Sequence, residues 1–248
     1  MTTREATSLF PRAMEGERPE RSWIDAAAVA SFALLQWPWL LRSLDGGSKA
    51  DKAQLLARLD LPANALPNLG SWKADTGLLN LIVDTVFEER PTRVIEFGVG
   101  ATSLVTARAL QIVGEGGLLT GFDQHADFVQ STREWLARHN VHADLRHAPL
   151  AKSPNGWPGA WYDTGPLEPG IDLLVVDGPP WSQHPLTRGA AEILFRLLSP
   201  RGIVLLDDAN RPGERMVAAQ WRKLHPDMEF TLWKGGTKGT LIGRRKGQ

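Results

Sequence analysis

The first chemistry in this chain is a glycine turn between an apolar run and a helix-forming pattern, Val94-Ile95-Glu96-Phe97-Gly98-Val99-Gly100-Ala101-Thr102-Ser103. Val94 to Phe97 reads as a buried strand that carries one acid, Glu96. From Thr102 onward Leu104, Val105, Ala107, Leu110 and Val113 recur at the spacing of a helix face. Glycines between the two let the backbone turn sharply and approach a ligand closely, with Gly98 and Gly100 as the cradle. That is a nucleoside-cofactor site in outline. The dinucleotide form of this turn has a third glycine and offers the helix start to a pyrophosphate. Here Ala101, Thr102 and Ser103 stand in that region, and their hydroxyls and amides suit a carboxylate. Unrelated strand-to-helix turns share such glycines, so the other polar strand ends must decide.

Three further apolar runs end in acids. Leu118 to Phe122 is followed by Asp123 and Gln124. An ionised carboxylate there has two acceptor oxygens and can take both ribose hydroxyls; standing alone it would be a helix cap. Ile171 to Val176 leads into Asp177-Gly178-Pro179-Pro180-Trp181, a carboxylate on a rigid rim, and Ile203 to Leu206 leads into Asp207-Asp208-Ala209-Asn210-Arg211. The acids of these two segments meet if the strands are neighbours. His184 lies just past the rim. With Asp177 and Asp208 it is a candidate general base, because imidazole titrates near working pH, although a loop histidine also serves as a bystander.

An alternating architecture would position these residues. Residues 1–90 read as helices separated by breakers, over Trp23 to Leu35, Ala50 to Leu59 and Ala74 to Glu89. Residues 91–248 alternate strand-like runs (Arg93–Phe97, Leu118–Phe122, Val141–His147, Ile171–Val176, Ile203–Leu206) with helical patterns from Thr102, Ala126, Leu186 and Gly213. Glu229 to Lys234 and Thr240 to Gly243 flank Gly235-Gly236-Thr237-Lys238-Gly239 as a terminal hairpin. The expected fold is α/β: a Rossmann-like, seven-stranded, mostly parallel sheet with a C-terminal antiparallel hairpin, preceded by a helical lid over residues 1–90.

From about Pro91 to Arg245 the glycine turn, Asp123, the two acid-ended strands and the hairpin together resemble the class I S-adenosylmethionine (SAM)-dependent methyltransferases. Trp161-Tyr162-Asp163, Glu214 and Trp221 narrow the likeness to the bacterial catechol O-methyltransferase-like small-molecule branch. The resemblance implies a SAM site made of Glu96, Gly98, Gly100, Thr102, Ser103, Asp123, Gln124, His147, Ala148 and Asp177, with the adenine beside His147 and Ala148. Catechol-type enzymes also hold Mg²⁺ through an aspartate after the fourth strand and an Asp-Asn pair after the fifth, oxygen ligands suited to a hard cation. Asp177 and Asp208 match the first two positions; Ala209 stands where the asparagine belongs and Asn210 comes one place late. The set is therefore Asp177, Asp208 and Asn210, or else the carboxylates bond loops and substrate directly.

Composition sets further limits. Lys+Arg and Asp+Glu are 28 each, so no basic footprint points to nucleic acid or an anionic membrane, and the Arg244-Arg245-Lys246 end reads as a solvated terminus. The absence of cysteine excludes thiolate metal sites and a cysteine nucleophile. Met1 to Glu20 lacks an apolar signal core, so a cytoplasmic protein is expected. Trp23 to Leu41 is apolar but holds Asp25, Gln36 and Pro38, which suits a buried or lid-forming helix better than a membrane span. Trp23, Trp37, Trp39 and Trp72 would either line a lid over a flat acceptor or fasten that lid to the sheet. The expected partners are a small-molecule acceptor and a second copy in a homodimer, with no nucleic acid and no membrane.

Competing readings are aminocarboxypropyl transfer or cyclisation of SAM, a nucleoside-sensing scaffold, and amino-methylation of nucleic acid or protein. The last is suggested by Gly178-Pro179-Pro180-Trp181, but the glycine there pushes Asp177 one place back from the prolines.

Overall fold

Alternate residues of the apolar strands face opposite ways, and this builds two cores on one sheet. The structure is a computed structural model that describes residues 23–71 and 73–246. Met1 to Glu20 and Trp72 therefore lie outside the described residues. The strands are β1 (Arg93–Phe97), β2 (Leu118–Asp123), β3 (Asp144–His147), the short β4 (Leu150–Lys152) and β5 (Ala160–Tyr162), then β6 (Ile171–Val176), β7 (Leu198–Leu206), β8 (Met228–Trp233) and β9 (Thr240–Arg245). Seven form one sheet in the order β3-β2-β1-β6-β7-β9-β8. β9 runs antiparallel to both its neighbours, and the other pairings in the sheet are parallel.

Val94, Leu173, Val175, Ile203 and Leu205 share one core with α3 (Lys49–Arg58), α4 (Thr76–Glu89), α5 (Ala101–Val113) and α6 (Ala126–Arg138). Ile95, Phe97, Leu174, Val176, Val204 and Leu206 face the other core, under a 3-10 helix (Thr187–Leu197) and α7 (Pro212–Leu224). The order reverses between β1 and β6. At such a switch point the following loops diverge and leave a crevice beyond the carboxyl ends of the strands.

Four details depart from the sequence expectation. The helix expected over Leu186 to Leu198 is wound as a 3-10 helix, with Gly189 packed against the Trp157 ring and Arg188 turned inward. The strand expected from Val141 starts at Asp144, because the Val141 amide still bonds the Leu136 carbonyl at the end of α6. β4 and β5 form a separate antiparallel pair that carries Trp161 and Tyr162 onto the Phe97 ring, with centroids 4.9 and 5.1 Å apart.

The apolar N-terminal segment is two helices, α1 (Trp23–Leu35) and α2 (Trp37–Ser43), bent by 67° at Gln36. Among the described residues no single helix is long and apolar enough to cross a membrane, though this bent pair passes on length and composition together. α1 is not buried, and Trp23 and Trp37 are 80% and 49% exposed, so neither fastens a lid to the sheet.

Candidate active site

The glycine turn is fixed from within. Gly98 adopts φ +90°, and a Cβ there would come within 2.9 Å of the Asp177 carbonyl carbon and 3.0 Å of the Gly178 nitrogen. Only glycine lets β1 and β6 approach this closely at their ends. The Ser103 hydroxyl accepts the Gly100 amide at 3.0 Å and donates to Glu96 Oε2 at 2.6 Å, and Thr102 also bonds Glu96. Both hydroxyls expected to face a ligand thus staple Glu96 to the turn, and the first amides of α5 remain for an anion. Burial pushes the Glu96 carboxyl up to about 7, and its Oε1 has no protein partner.

Asp123 ends β2 nearly buried, and its Oδ1 accepts the His125 amide at 2.9 Å in a local turn ahead of α6. Gln124 is buried, with its Oε1 lacking a partner, and its main-chain carbonyl bonds the exposed His147 ring at 3.1 Å. Ala148 is buried, with its amide on the Asp123 carbonyl. The Tyr162 hydroxyl is buried without a partner and packs against Gly178. Burial raises it well above the usual phenol range, and Asp123, Asp177 and Glu96 add to that, so these groups surround one spot. Orphaned polar atoms of Glu96, Gln124 and Tyr162 around bare glycine backbone suit a polar, flat cofactor.

Beside this cradle the acids after β6 and β7 meet, as the neighbouring strands require. Asp177, Asp207 and Asp208 offer oxygens all within 4.8 Å of one another. Asp207 takes the third place expected of Asn210, whose side chain lies instead against Gly239. Cations fill the surroundings. Asp208 Oδ2 accepts a hydrogen bond from Arg188 at 3.0 Å, and its Oδ1 lies in an ion pair with Arg211 Nη2 at 2.8 Å. Lys238 Nζ lies 3.5 Å from Asp207 and 3.6 Å from Asp208, and Arg188 also faces Asp177 at 3.6 Å and Glu214 at 4.0 Å.

Burial alone would raise Asp208, yet Arg211, Lys238 and Arg188 hold it well below the usual carboxylate range. Asp207 goes the other way: burial and the neighbouring Asp208 raise it well above that range. Burial lifts Asp177 to about 6 against the pull of Lys238 and Arg188. Asp208 holds φ +60°, a left-handed conformation uncommon for a residue with a side chain and recurrent at functional sites.

The oxygen donors suit a hard divalent ion, but their surroundings do not. Lys238 Nζ already lies 3.5 and 3.6 Å from the Asp207 and Asp208 oxygens that such an ion would need to approach to about 2.0–2.6 Å. The charge of these carboxylates is already answered by Arg188, Arg211 and Lys238, which largely cancels the attraction that would draw such an ion in. Asp177, Asp207 and Asp208 therefore do not fit a metal while Lys238 and the two arginines are in place.

His184 is buried at the rim, its Nδ1 accepting the Leu186 amide at 3.1 Å and its Nε2 turned 4.0 Å from Asp25 of α1. Asp25 thus brings α1 to the site. Arg188 and Lys238 had no role in the sequence reading. Nothing in a lysine between glycines of a hairpin, or an arginine in an amphipathic stretch, tells that either charge is buried. Two open cavities of about 690 and 550 Å³ share none of these residues, so the site is defined by its chemistry at the strand ends.

Residues 95–209 match a family model described as a methyltransferase domain. No curated protein matches the sequence. Among solved structures, the O-methyltransferase TomG from Streptomyces achromogenes, in complex with SAM, shares 17% identity and covers 91% of this chain and 100% of its own, with a TM-score of 0.54. The O-methyltransferase from Bacillus cereus, in complex with SAH, shares 15% identity over 88% of this chain and 100% of its own, with a TM-score of 0.55. SAH-bound PaMTH1 from Podospora anserina shares 14% identity over 93% and 99%, with a TM-score of 0.54. At these identities the neighbours show the fold alone, and the family model describes what residues 95–209 are similar to, a methyltransferase domain.

Proposed function

We propose that the chain transfers a methyl group from SAM to an oxygen or nitrogen of a small, aromatic or apolar acceptor. What supports this reading is the juxtaposition, across Gly98 and Gly178, of a glycine turn ringed by unpartnered polar atoms and the partly exposed carboxyl of Asp177. When bound, SAM supplies a methyl group already activated by the sulfonium charge. The protein must then hold the acceptor in line and remove its proton.

In this reading the turn at Gly98 and Gly100 and the amides from Thr102 and Ser103 hold the methionine end. Asp123, whose Oδ1 also holds the His125 amide, meets the ribose, and Gln124, His147 and Ala148 line the adenine. Asp177 keeps 11% of its side chain exposed and takes the acceptor's proton. Asp208, locked between two guanidiniums, orients the neighbouring carboxyls. His184 accepts a backbone N–H at Nδ1, which engages that nitrogen's lone pair, and its Nε2 faces Asp25 of α1 at 4.0 Å. Its part is to link the rim to α1. We read residues before about 90 as the acceptor-side extension, although α3 and α4 share the main core.

The test is product analysis with methyl-labelled SAM and a panel of phenols, catechols and aromatic amines, alongside SAH titration. Label in the acceptor is expected. Label in methylthioadenosine would move the chemistry to the aminocarboxypropyl carbon, and absence of SAH binding would remove the reading altogether.

A further inference from the structure

We propose that the Lys238 ammonium is the resident cation of the Asp177–Asp207–Asp208 cluster, standing where a divalent ion would otherwise be held, so that the site works without a metal. Three observations carry it. First, the side chain is 1% exposed and its Nζ sits between Asp207 and Asp208 at 3.5 and 3.6 Å, with no closer partner, which is the place of a shared counter-ion rather than of one ion pair. A buried ammonium persists only where anions compensate it. Second, the cluster already holds its own cations: Arg188, Arg211 and Lys238 stand against the four carboxyls of Asp177, Asp207, Asp208 and Glu214.

Third, the backbone that delivers Lys238 is fixed from both sides. Asp75 Oδ2 accepts the amides of Thr237 at 2.6 Å and Lys238 at 3.1 Å. The loop after β7 bonds back, Asn210 N–H to the Lys238 carbonyl at 3.1 Å and Ala209 N–H to the Gly239 carbonyl at 2.9 Å. Gly239 takes φ +73°, with the Asn210 side chain against it. Asn210, one place late for a metal ligand, thus belongs to the frame that aims the lysine.

The inference rests on the methyl-transfer reading only for its consequence in turnover. Lys238 is a positioning residue: it acts on the acceptor through Asp177 and Asp207.

Mn²⁺ is the probe, followed by its paramagnetic resonance signal and by thermal melting of the full chain. Wild-type protein is expected to leave millimolar Mn²⁺ free, to melt at the same temperature with Mn²⁺ or EDTA, and to keep its methyl transfer in EDTA. Lys238→Ala, which opens the space among the carboxylates, is expected to bind Mn²⁺ at least tenfold tighter than wild type and to melt higher when Mn²⁺ is added. Lys238→Met fills that space without charge and separates loss of packing from loss of charge.

Stoichiometric Mn²⁺ binding by wild type, or turnover abolished by EDTA and restored by Mn²⁺, overturns the proposal even if neither variant folds. Folded Lys238→Ala with no gain in Mn²⁺ affinity overturns it too. Expected metal behaviour without methyl transfer to any acceptor would defeat the functional reading and leave the inference standing.

Discussion

Asp75 Oδ2 accepts both the amide of Thr237 at 2.6 Å and its hydroxyl at 2.8 Å, tying the start of α4 to the turn between β8 and β9. The same side chain caps α4 through the Leu78 amide at 2.8 Å. One buried carboxylate thus joins two elements 162 residues apart in sequence and sets where the last hairpin lies over the acid cluster.

Asp75→Ala should therefore cost more than a helix cap. Hydrogen bonds to a charged group contribute about 1.5–3 kcal/mol, and the orphaned amides add to the loss, so a fall of roughly 2–4 kcal/mol in urea unfolding is expected. Asp75→Asn, which keeps one acceptor, should fall between. Turnover should drop more than SAH affinity, because Lys238 moves while the glycine turn does not. A change below about 0.5 kcal/mol would show that the hairpin does not need this anchor.

Gly98→Ala tests the cradle. Its φ of +90° and the 2.9 Å approach of a Cβ to the Asp177 carbonyl carbon oppose any side chain, and strain of this kind costs about 1–3 kcal/mol. The strands must separate at their carboxyl ends, where the cofactor would sit. Calorimetric titration should show SAH binding weakened at least tenfold with a lower melting temperature. Wild-type affinity in this variant would mean that the ligand does not depend on the close approach of β1 and β6.

Much of the sheet was legible because strands buried on both faces read as continuous apolar runs: Arg93–Phe97 and Ile171–Val176 have the bounds the sequence predicts. Asp123, Asp177 and Asp208 were legible for the same reason, since an acid after a buried run can only emerge at a strand end. Arg188 and Lys238 were not. An arginine in a helical pattern and a lysine in a hairpin turn are normally solvated, and only the tertiary approach of β7, β9 and the 3-10 helix desolvates them. Tyr162 was legible as part of the Trp161-Tyr162-Asp163 likeness but not as a buried hydroxyl at the site, because β4 and β5 are three-residue strands with no periodicity to read.

Glu96 makes stability depend on pH in the cofactor-free protein. Burial raises its pKa from 4.5 to about 7, so between those values the folded state binds more protons than the unfolded one and stability falls as pH rises. Its stabilising contribution is fully present below about pH 4.5 and is lost on passing through pH 7. Glu96→Gln can still accept from Ser103 and carries no charge. It should melt increasingly above wild type from pH 5 to pH 8, with a gap approaching about 3 kcal/mol at most. A gap that stays constant across this range would assign the buried charge elsewhere.

The general base divides Asp177 from His184. Burial lifts Asp177 to about 6, and it must be ionised to take a proton, so kcat/KM should rise with pH and level off above an apparent value near 6. Because the carboxylates titrate together, that limb belongs to the cluster, with Asp177 its most exposed member. Asp177→Asn should lower turnover about 10²-fold or more and flatten the limb.

His184 has Nδ1 occupied by the Leu186 amide and Nε2 directed toward Asp25, so it reaches the acceptor through the placement of α1 rather than through a proton. His184→Ala should raise KM for the acceptor with kcat within a few-fold and the acid limb intact. The decisive contrary result is a limb that vanishes in His184→Ala and survives in Asp177→Asn. That would require the His184 ring to turn over during catalysis and give up its bond to Leu186, with the imidazole taking the proton.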